Sequence, residues 1–398
     1  VGIDFTAYIN HTTQYYQEKK AGKEDAFNAK SQQDIRRLSV YADQNHKLGK
    51  GWMLNYGTKF SFASDKSSQV YHSLREHDCS ISNSYSKLDE YVYDLYTGFS
   101  KSFSDNLSVN ASLTGEYYKH KEIDYWSLFP MMEITYRAHP SHILQLSVSS
   151  DKTYPSYWEM QNTVSYLNGY TEIQGNPDLR PSRLYSAQLN YILKNKYIFT
   201  LYANYIDNNF NQLPYQSSER LVLIYKTLNF DYSSKLGLNV MIPFKAGSVL
   251  DSRLTLNGYY DKMKCDNYHD ISFNKDNLAF YAELNNTFNI SSKPTIKAEV
   301  SGSYITRNIQ GPMTISSMYN VDAGLKWISP NGKAEISLKV DDMFNSWVPK
   351  DLNLQYKTQD LHMRMIPDSR RVSLSFIYKF GDFKAKEHKE VDSSRFGK

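Results

Sequence analysis

Apolar residues occupy every second position through most of this chain, and that period of two constrains the fold more than any other feature. Leu107, Val109, Ala111, Leu113 and Tyr117 alternate with Ser108, Asn110, Ser112, Thr114 and Glu116. Successive side chains point to opposite faces in a β-strand, so this segment has one apolar and one polar face. The segment before it, Tyr91, Tyr93, Leu95, Phe99 and Phe103, keeps the same rhythm and meets it across Ser104-Asp105-Asn106. The two read as a hairpin of long strands. The unit recurs around Lys194-Asn195-Lys196, Ser291-Ser292-Lys293-Pro294 and Ser329-Pro330-Asn331-Gly332. Trp52, Leu54, Tyr56, Phe60 and Phe62 mark an earlier strand, and Val372, Leu374, Phe376, Tyr378 and Phe380 mark the last. About sixteen strands follow from this reading. The alternation also reconciles 34 Tyr and 19 Phe with a mean hydropathy of only −0.60. A chain this aromatic is not disordered.

Connections alternate between two kinds. Short turns are read at 47–51, 104–106, 139–141, 194–196, 243–247, 291–294 and 329–333. Long polar loops lie between them, near 14–33, 64–87, 151–181, 207–219, 264–276 and 341–369. Short turns on one side, long loops on the other and an apolar face of about ten residues per strand describe an antiparallel meander β-barrel that spans a membrane. In lipid every backbone group must be paired, so the sheet has to close and its outward face has to be apolar. The polar parity then lines the interior. Trp52, Tyr117, Trp126, Tyr136, Tyr197 and Trp327 fall at strand ends, where rings with one wet edge suit the membrane interface.

Other classes are excluded or left without support. A net charge of +4 over 398 residues is too small to argue for nucleic acid. No run of about eighteen apolar residues occurs, so no transmembrane helix is read. Cys79 and Cys265 lie far apart and read as isolated thiols in polar segments. No GxSxG, HExxH, P-loop or Rossmann glycine pattern is present, and no enzyme or cofactor is expected. His72, His77, Asp78 and Cys79 match no standard metal spacing and read as a solvated loop. The acid pairs Asp89-Glu90 and Asp341-Asp342 stand near strand ends and read as solvated rather than catalytic. The first residues, from Val1 to Ile9, read as though the chain starts inside a strand.

Several motifs occur in a telling order. Tyr154-Pro155-Ser156-Tyr157-Trp158-Glu159-Met160 precedes Gly175-Asn176-Pro177-Asp178-Leu179-Arg180-Pro181-Ser182 and a tyrosine-rich strand. Val340-Asp341-Asp342-Met343-Phe344-Asn345 follows, then Arg371 to Phe380 and a charged tail. From about Ser141 onward this series resembles the barrel of TonB-dependent outer-membrane receptors, in the form common in Bacteroidetes-type bacteria. The resemblance implies that residues 1–380 are the C-terminal portion of a 22-stranded receptor barrel, with a plug domain and the contact to TonB upstream of Val1. It also implies a polar tail, 381–398, in the periplasm, insertion by the barrel-assembly machinery, and room for a surface lipoprotein partner. The implied function is energised uptake of a nutrient ligand. If the chain were self-contained, about sixteen strands would suit a porin-like passive channel; a barrel enzyme with its catalytic group on the rim is a third reading.

Tyr154, Tyr157, Trp158, Asn176 and Arg180 are the candidate ligand-loop residues. The rings suit stacking on a carbohydrate or aromatic ligand, and equally suit packing the loop onto the barrel rim. Gly175 and Asn176 tolerate positive φ, while Pro177 and Pro181 fix φ and withhold donors, as a rigid loop-to-strand junction requires.

Overall fold

The structure is a computed structural model that describes residues 1–20, 23–73, 83–366, 368–381 and Arg395. Its strands, in chain order, begin with β1 (Gly2–Lys20), β2 (Lys23–Lys47), β3 (Trp52–Ser73), β4 (Ser84–Ser104), β5 (Leu107–His120) and β6 (Ile123–His139). Next come β7 (His142–Thr153), β8 (Val164–Asn168), β9 (Thr171–Gln174), β10 (Ser182–Leu193), β11 (Tyr197–Asp207) and β12 (Phe210–Gln216). They continue with β13 (Leu223–Asn229), β14 (Tyr232–Ala246), β15 (Leu250–Tyr268), β16 (Ile271–Ser292), β17 (Thr295–Ile305) and β18 (Asn308–Gln310). The last are β19 (Met313–Ile315), β20 (Met318–Ile328), β21 (Ala334–Asp341), β22 (Asp351–Tyr356), β23 (Gln359–Arg364) and β24 (Arg371–Tyr378).

Sixteen of these form one antiparallel meander, in the order β1 to β7, β10, β11, β14 to β17, β20, β21, β24. Among the described residues no helix is long and apolar enough to cross a membrane. The sheet has the expected two faces. On β11, Tyr197, Phe199, Leu201, Ala203 and Tyr205 share one parity, and Leu201 stands opposite Leu189 on one side and Leu238 on the other. These leucines are exposed on the outer face. Tyr197 and Tyr205 lie eight residues apart, about 26 Å at ~3.3 Å per residue. Tyr205 stacks on Tyr232 at 5.6 Å, Tyr117 meets Trp126 at 5.3 Å, and at the other margin Trp52 meets Phe103 at 5.8 Å. Two aromatic girdles therefore bound an apolar band.

Short connections occupy one end, as the sequence predicts. The other end is built differently from a set of plain loops. The β1–β2 ladder continues to Lys20 and Lys23, the β3–β4 ladder to Gln69 and Ser84, and the β15–β16 ladder to Tyr268 and Ile271. The segments expected as loops at 14–33, 64–87 and 264–276 are thus largely strand. Beyond the apolar band the outward face meets water instead of lipid, so the hydrophobic alternation fades, while the antiparallel ladder needs only backbone groups. The remaining long connections form two small sheets, β12-β13-β9-β8 and β18-β19-β22-β23. Phe230, Tyr268, Phe273 and Leu354 pack between these sheets and the β15–β16 hairpin. Cys265 belongs to the same apolar cluster, so it is not the polar-segment thiol expected; Cys79 lies outside the described residues.

Candidate functional site

Strands β4, β5 and β7 turn polar residues to the interior at the long-loop end. Glu90 on β4 stands opposite His120 on β5, Val92 opposite Tyr118, and Asp94 opposite Glu116. Two carboxylates directly across a ladder repel each other, so this arrangement requires a cation. Lys152, near the end of β7, supplies it: its Nζ lies 2.6 Å from Asp94 and also contacts Glu116. The hydroxyl of Tyr154, in the loop that follows, donates to Glu116 as well.

Glu90 is the second centre. It is 2% exposed, not solvated as the Asp89-Glu90 pair was expected to be; Asp89 keeps partial exposure and pairs with Lys87 at 2.7 Å. Tyr118 donates to Glu90 Oε2 at 3.0 Å and Tyr157 to Oε1 at 3.2 Å. Arg395 closes the carboxylate's coordination, Nη1 to Oε1 at 2.6 Å and Nη2 to Oε2 at 2.9 Å. Its guanidinium lies 4.6 Å from the rings of both Tyr154 and Tyr157. Burial pushes both loop phenols above the ordinary tyrosine value. Burial works against the charge of Arg395, yet attraction by Glu90 outweighs it and holds the guanidinium charged.

The loop that delivers the two tyrosines is pinned from below. Tyr157, Met160 and Leu179 are buried with Ile35, Ala63 and Leu88 of the barrel wall. Gly175 approaches so closely that a Cβ there would sit 1.8 Å from the Gln161 carbonyl oxygen. Close approach, rather than positive φ, is why glycine stands there; neither Gly175 nor Asn176 adopts positive φ. Asn176 Nδ2 donates to the Thr227 carbonyl at 2.9 Å, and the Pro177 carbonyl accepts from His120 Nε2 at 3.2 Å.

The five candidate loop residues therefore separate. Tyr154 and Tyr157 join the Glu90 cluster. Asn176 ties the loop to β13. Trp158 is exposed, and Arg180 lines a cleft of about 370 Å³ with Asp124, Tyr125 and Arg183. Of the C-terminal strand residues, Val372, Leu374 and Phe376 face Val340, Leu338 and Ile336 across the β21–β24 ladder, and Tyr378 faces Ala334. Phe380, two residues past that strand, is 92% exposed. Glu90, Asp94, Glu116 and Lys152 were not singled out as site residues, although Glu116 stood in the polar parity. Asp342, the other acid expected to be solvated, is buried at the β21 exit. Its carboxylate accepts from the Ser369 hydroxyl and from the backbone N–H groups of Ser346 and Trp347, the latter two at 2.9 and 2.8 Å, and these bonds together outweigh burial to hold it below the usual carboxylate range. Among the described residues no group of three His, Cys, Asp or Glu could hold a metal; His77, Asp78 and Cys79 lie outside them.

At the tip of the β15–β16 hairpin, His269 stacks on Tyr215 with centroids 4.0 Å apart. Burial, followed by repulsion from Lys226 and against the pull of Asp270, lowers it from 6.5 to about 4. The unfolded tip takes up a proton before the folded one does. The tip's stability is therefore full above about pH 6.5 and falls as pH drops toward 4. Amide exchange at Tyr268 and Ile271, corrected for intrinsic rates, is expected to speed up across that window. His269→Asn, which tolerates the positive φ of 52° there, is expected to remove the dependence.

Girdled outer face, polar interior and unequal ends define an outer-membrane β-barrel. The chain belongs to the outer membrane protein beta-barrel family, whose sequence profile matches residues 1–378. No curated protein sequence matches it. Solved structures extend the likeness at the level of fold. The FrpB iron transporter from Neisseria meningitidis superposes with a TM-score of 0.57 at 13% identity, over 94% of this chain and 64% of that one. A mutant ferric enterobactin receptor, PfeA, from Pseudomonas aeruginosa, in complex with enterobactin, gives 0.57 at 10% identity, over 94% and 62%. The FpvAI–pyocin S2 complex gives 0.54 at 12% identity, over 94% and 54%. The chain thus spans less than two thirds of these receptors. It is an integral outer-membrane protein with the fold of TonB-dependent receptor barrels, and the long-loop end corresponds to the cell exterior.

Proposed function

We propose that this chain is the C-terminal wall of an energised outer-membrane importer: residues 1–380 the barrel portion, closed by roughly six more strands into the 22-stranded form, with a plug and a TonB contact supplied by sequence upstream of Val1. The observation that carries it is the pair of sheet edges. β1 and β24 end the strand order. Ile3, Phe5 and Ile9 on one, and Val372, Leu374 and Phe376 on the other, are exposed on the apolar parity. Lipid does not tolerate unpaired ladder groups beside such a band, so both edges call for strand partners. The neighbours' names add iron and ferric enterobactin as the cargo class to test first. Within this reading the assembly machinery inserts the barrel, and the broad exterior formed by the two small sheets is where a surface lipoprotein would sit.

Direct pairing of β1 with β24 would instead close a sixteen-stranded passive channel. The encoded polypeptide, purified from outer membranes and placed in planar bilayers, separates the two. The importer is expected to show no steady conductance, to admit no small sugars in liposome swelling, and to be retained on immobilised TonB periplasmic domain. Steady porin-like conductance with no retention would contradict it.

A further inference from the structure

On β2, β3 and β4 the outward parity runs on past the upper girdle and changes character. Through the apolar band it carries Leu38, Phe60, Tyr93 and Tyr91, all exposed and uncharged. Beyond the band the same parity carries Arg36, Lys66 and Lys87, which are exposed too. The opposite parity of that segment, Ile35, Ala63 and Leu88, is buried with Tyr157, Met160 and Leu179 of the long loop. The three cations therefore point away from the lumen, into the surroundings of the barrel.

Lys66 and Lys87 stand directly opposite each other across the β3–β4 ladder. Like charges so placed are destabilising, and the acids nearby offset only part of the charge. Asp34 faces Lys66 from β2, yet its carboxylate accepts from Nε and Nη2 of Arg36 at 3.3 and 3.0 Å. Asp89 accepts from Lys87 and from the Ser64 hydroxyl, each at 2.7 Å. Among the described residues, Lys66 and the outward Lys30 are left without an ion pair. A cleft of about 500 Å³ lies beside Lys66 and Lys87, with Gln32, Ser68 and Tyr85 on its walls. A second, of about 310 Å³, shares Gln32 and Ser68 and reaches Lys30 and Thr13. Ammonium groups bind phosphate, the amide and hydroxyls suit sugar hydroxyls, and the open ring of Tyr85 suits a sugar face. Height separates the two lipid classes that could supply the phosphate. Arg36 is level with Ser64, two residues past Phe62, and Lys66 is four past it. At ~3.3 Å per residue and a strand tilt of 35–45° these levels are about 5 and 10 Å above the girdle. The headgroup layer of an ordinary bilayer is about 5–8 Å deep on each side. A phospholipid phosphate reaches the first level and not the second, whereas a headgroup built of phosphorylated sugars spans both.

We propose that Arg36, Lys66 and Lys87, with Gln32, Ser68 and Tyr85, form a binding surface on the outside of the barrel for the phosphorylated saccharide headgroup of an outer-leaflet glycolipid. A phosphate seated between Lys66 and Lys87 relieves their repulsion, and the acyl chains continue onto Leu38, Phe60 and Tyr93 of the apolar band. The surface follows from the placement of the sheet in the outer membrane, and it stands whether or not transport through the barrel is energised.

The test uses the encoded polypeptide, purified in detergent and stripped of lipid. Bisphosphorylated lipid A, lipid A freed of phosphate, and phosphatidylglycerol are titrated separately, and bound lipid is counted by native mass spectrometry. Wild type is expected to bind bisphosphorylated lipid A at least tenfold more tightly than either of the others. The double change Lys66→Gln with Lys87→Gln is expected to remove that preference. Lys101→Gln, the same charge change at the opposite margin, where Lys101 Nζ lies 4.9 Å from the Trp52 ring, is expected to keep it. Without lipid the double variant is expected to have a urea midpoint no lower than wild type, because a repulsion has been removed. Lys66→Glu, which pairs with Lys87, serves if the double variant does not fold and is expected to lose the preference as well. Equal binding of the three lipids, a preference unchanged in the lysine variants, or a double variant less stable than wild type without lipid would each overturn the assignment.

Discussion

Leu201→Arg is expected to prevent stable insertion of the barrel. Leu201 stands midway between the girdle residues Tyr197 and Tyr205, on the outward parity, with leucines opposite it on both neighbouring strands. An arginine at that depth costs about 2–4 kcal/mol, a large part of a domain's net stability. The neighbouring Thr200 faces the interior, where its hydroxyl donates to Asn190 Oδ1 at 2.6 Å. Thr200→Arg loses one hydrogen bond, about 1 kcal/mol, and places its charge in a polar lumen. Urea midpoints of the two variants in vesicles check the contrast. Similar midpoints would mean that the two faces are not lipid and lumen.

The second large effect is expected at Lys152. Lys152→Met leaves Asp94 and Glu116 opposed across the β4–β5 ladder with no cation between them. Removing one partner of a buried ion pair costs about 3–5 kcal/mol; with Lys152 retaining about a fifth of its exposure, the lower figure applies. The double change Lys152→Met with Glu116→Gln removes the repulsion and is expected to recover most of the loss. A double variant no more stable than the single one would show that Lys152 contributes packing rather than charge compensation.

These effects follow the division between what the sequence made legible and what it did not. The strand pattern is set by a local rule, alternation against lipid, and it predicted about sixteen strands and the short turns, although the last strand ends at Tyr378, before the Phe380 expected in it. The rule stops where the lipid stops. The outer hairpins of β1–β2, β3–β4 and β15–β16 extend past the lipid and read as polar loops, and the two small sheets are too short to leave a period. The charged cluster was hidden for a different reason. Glu90, Glu116, Lys152 and Arg395 are each ordinary in their own segment and meet only when strands and tail come together; Glu90 and Arg395 are 305 residues apart. Tyr154 and Tyr157 were legible because their loop motif is distinctive, yet their partner was not. Gly175 was singled out for its backbone freedom, whereas the structure uses the absence of its side chain.

The central claim is that the sixteen-stranded sheet sits in a bilayer with one parity in lipid and the other in the lumen. A spin-label scan through Tyr197–Asp207, one residue at a time, in vesicles of outer-membrane lipid tests it most directly. Oxygen accessibility is expected to peak at 199, 201 and 203, and accessibility to a water-soluble relaxant at 198, 200 and 202, in strict alternation. Equal aqueous accessibility at both parities, or a period other than two, would contradict the account.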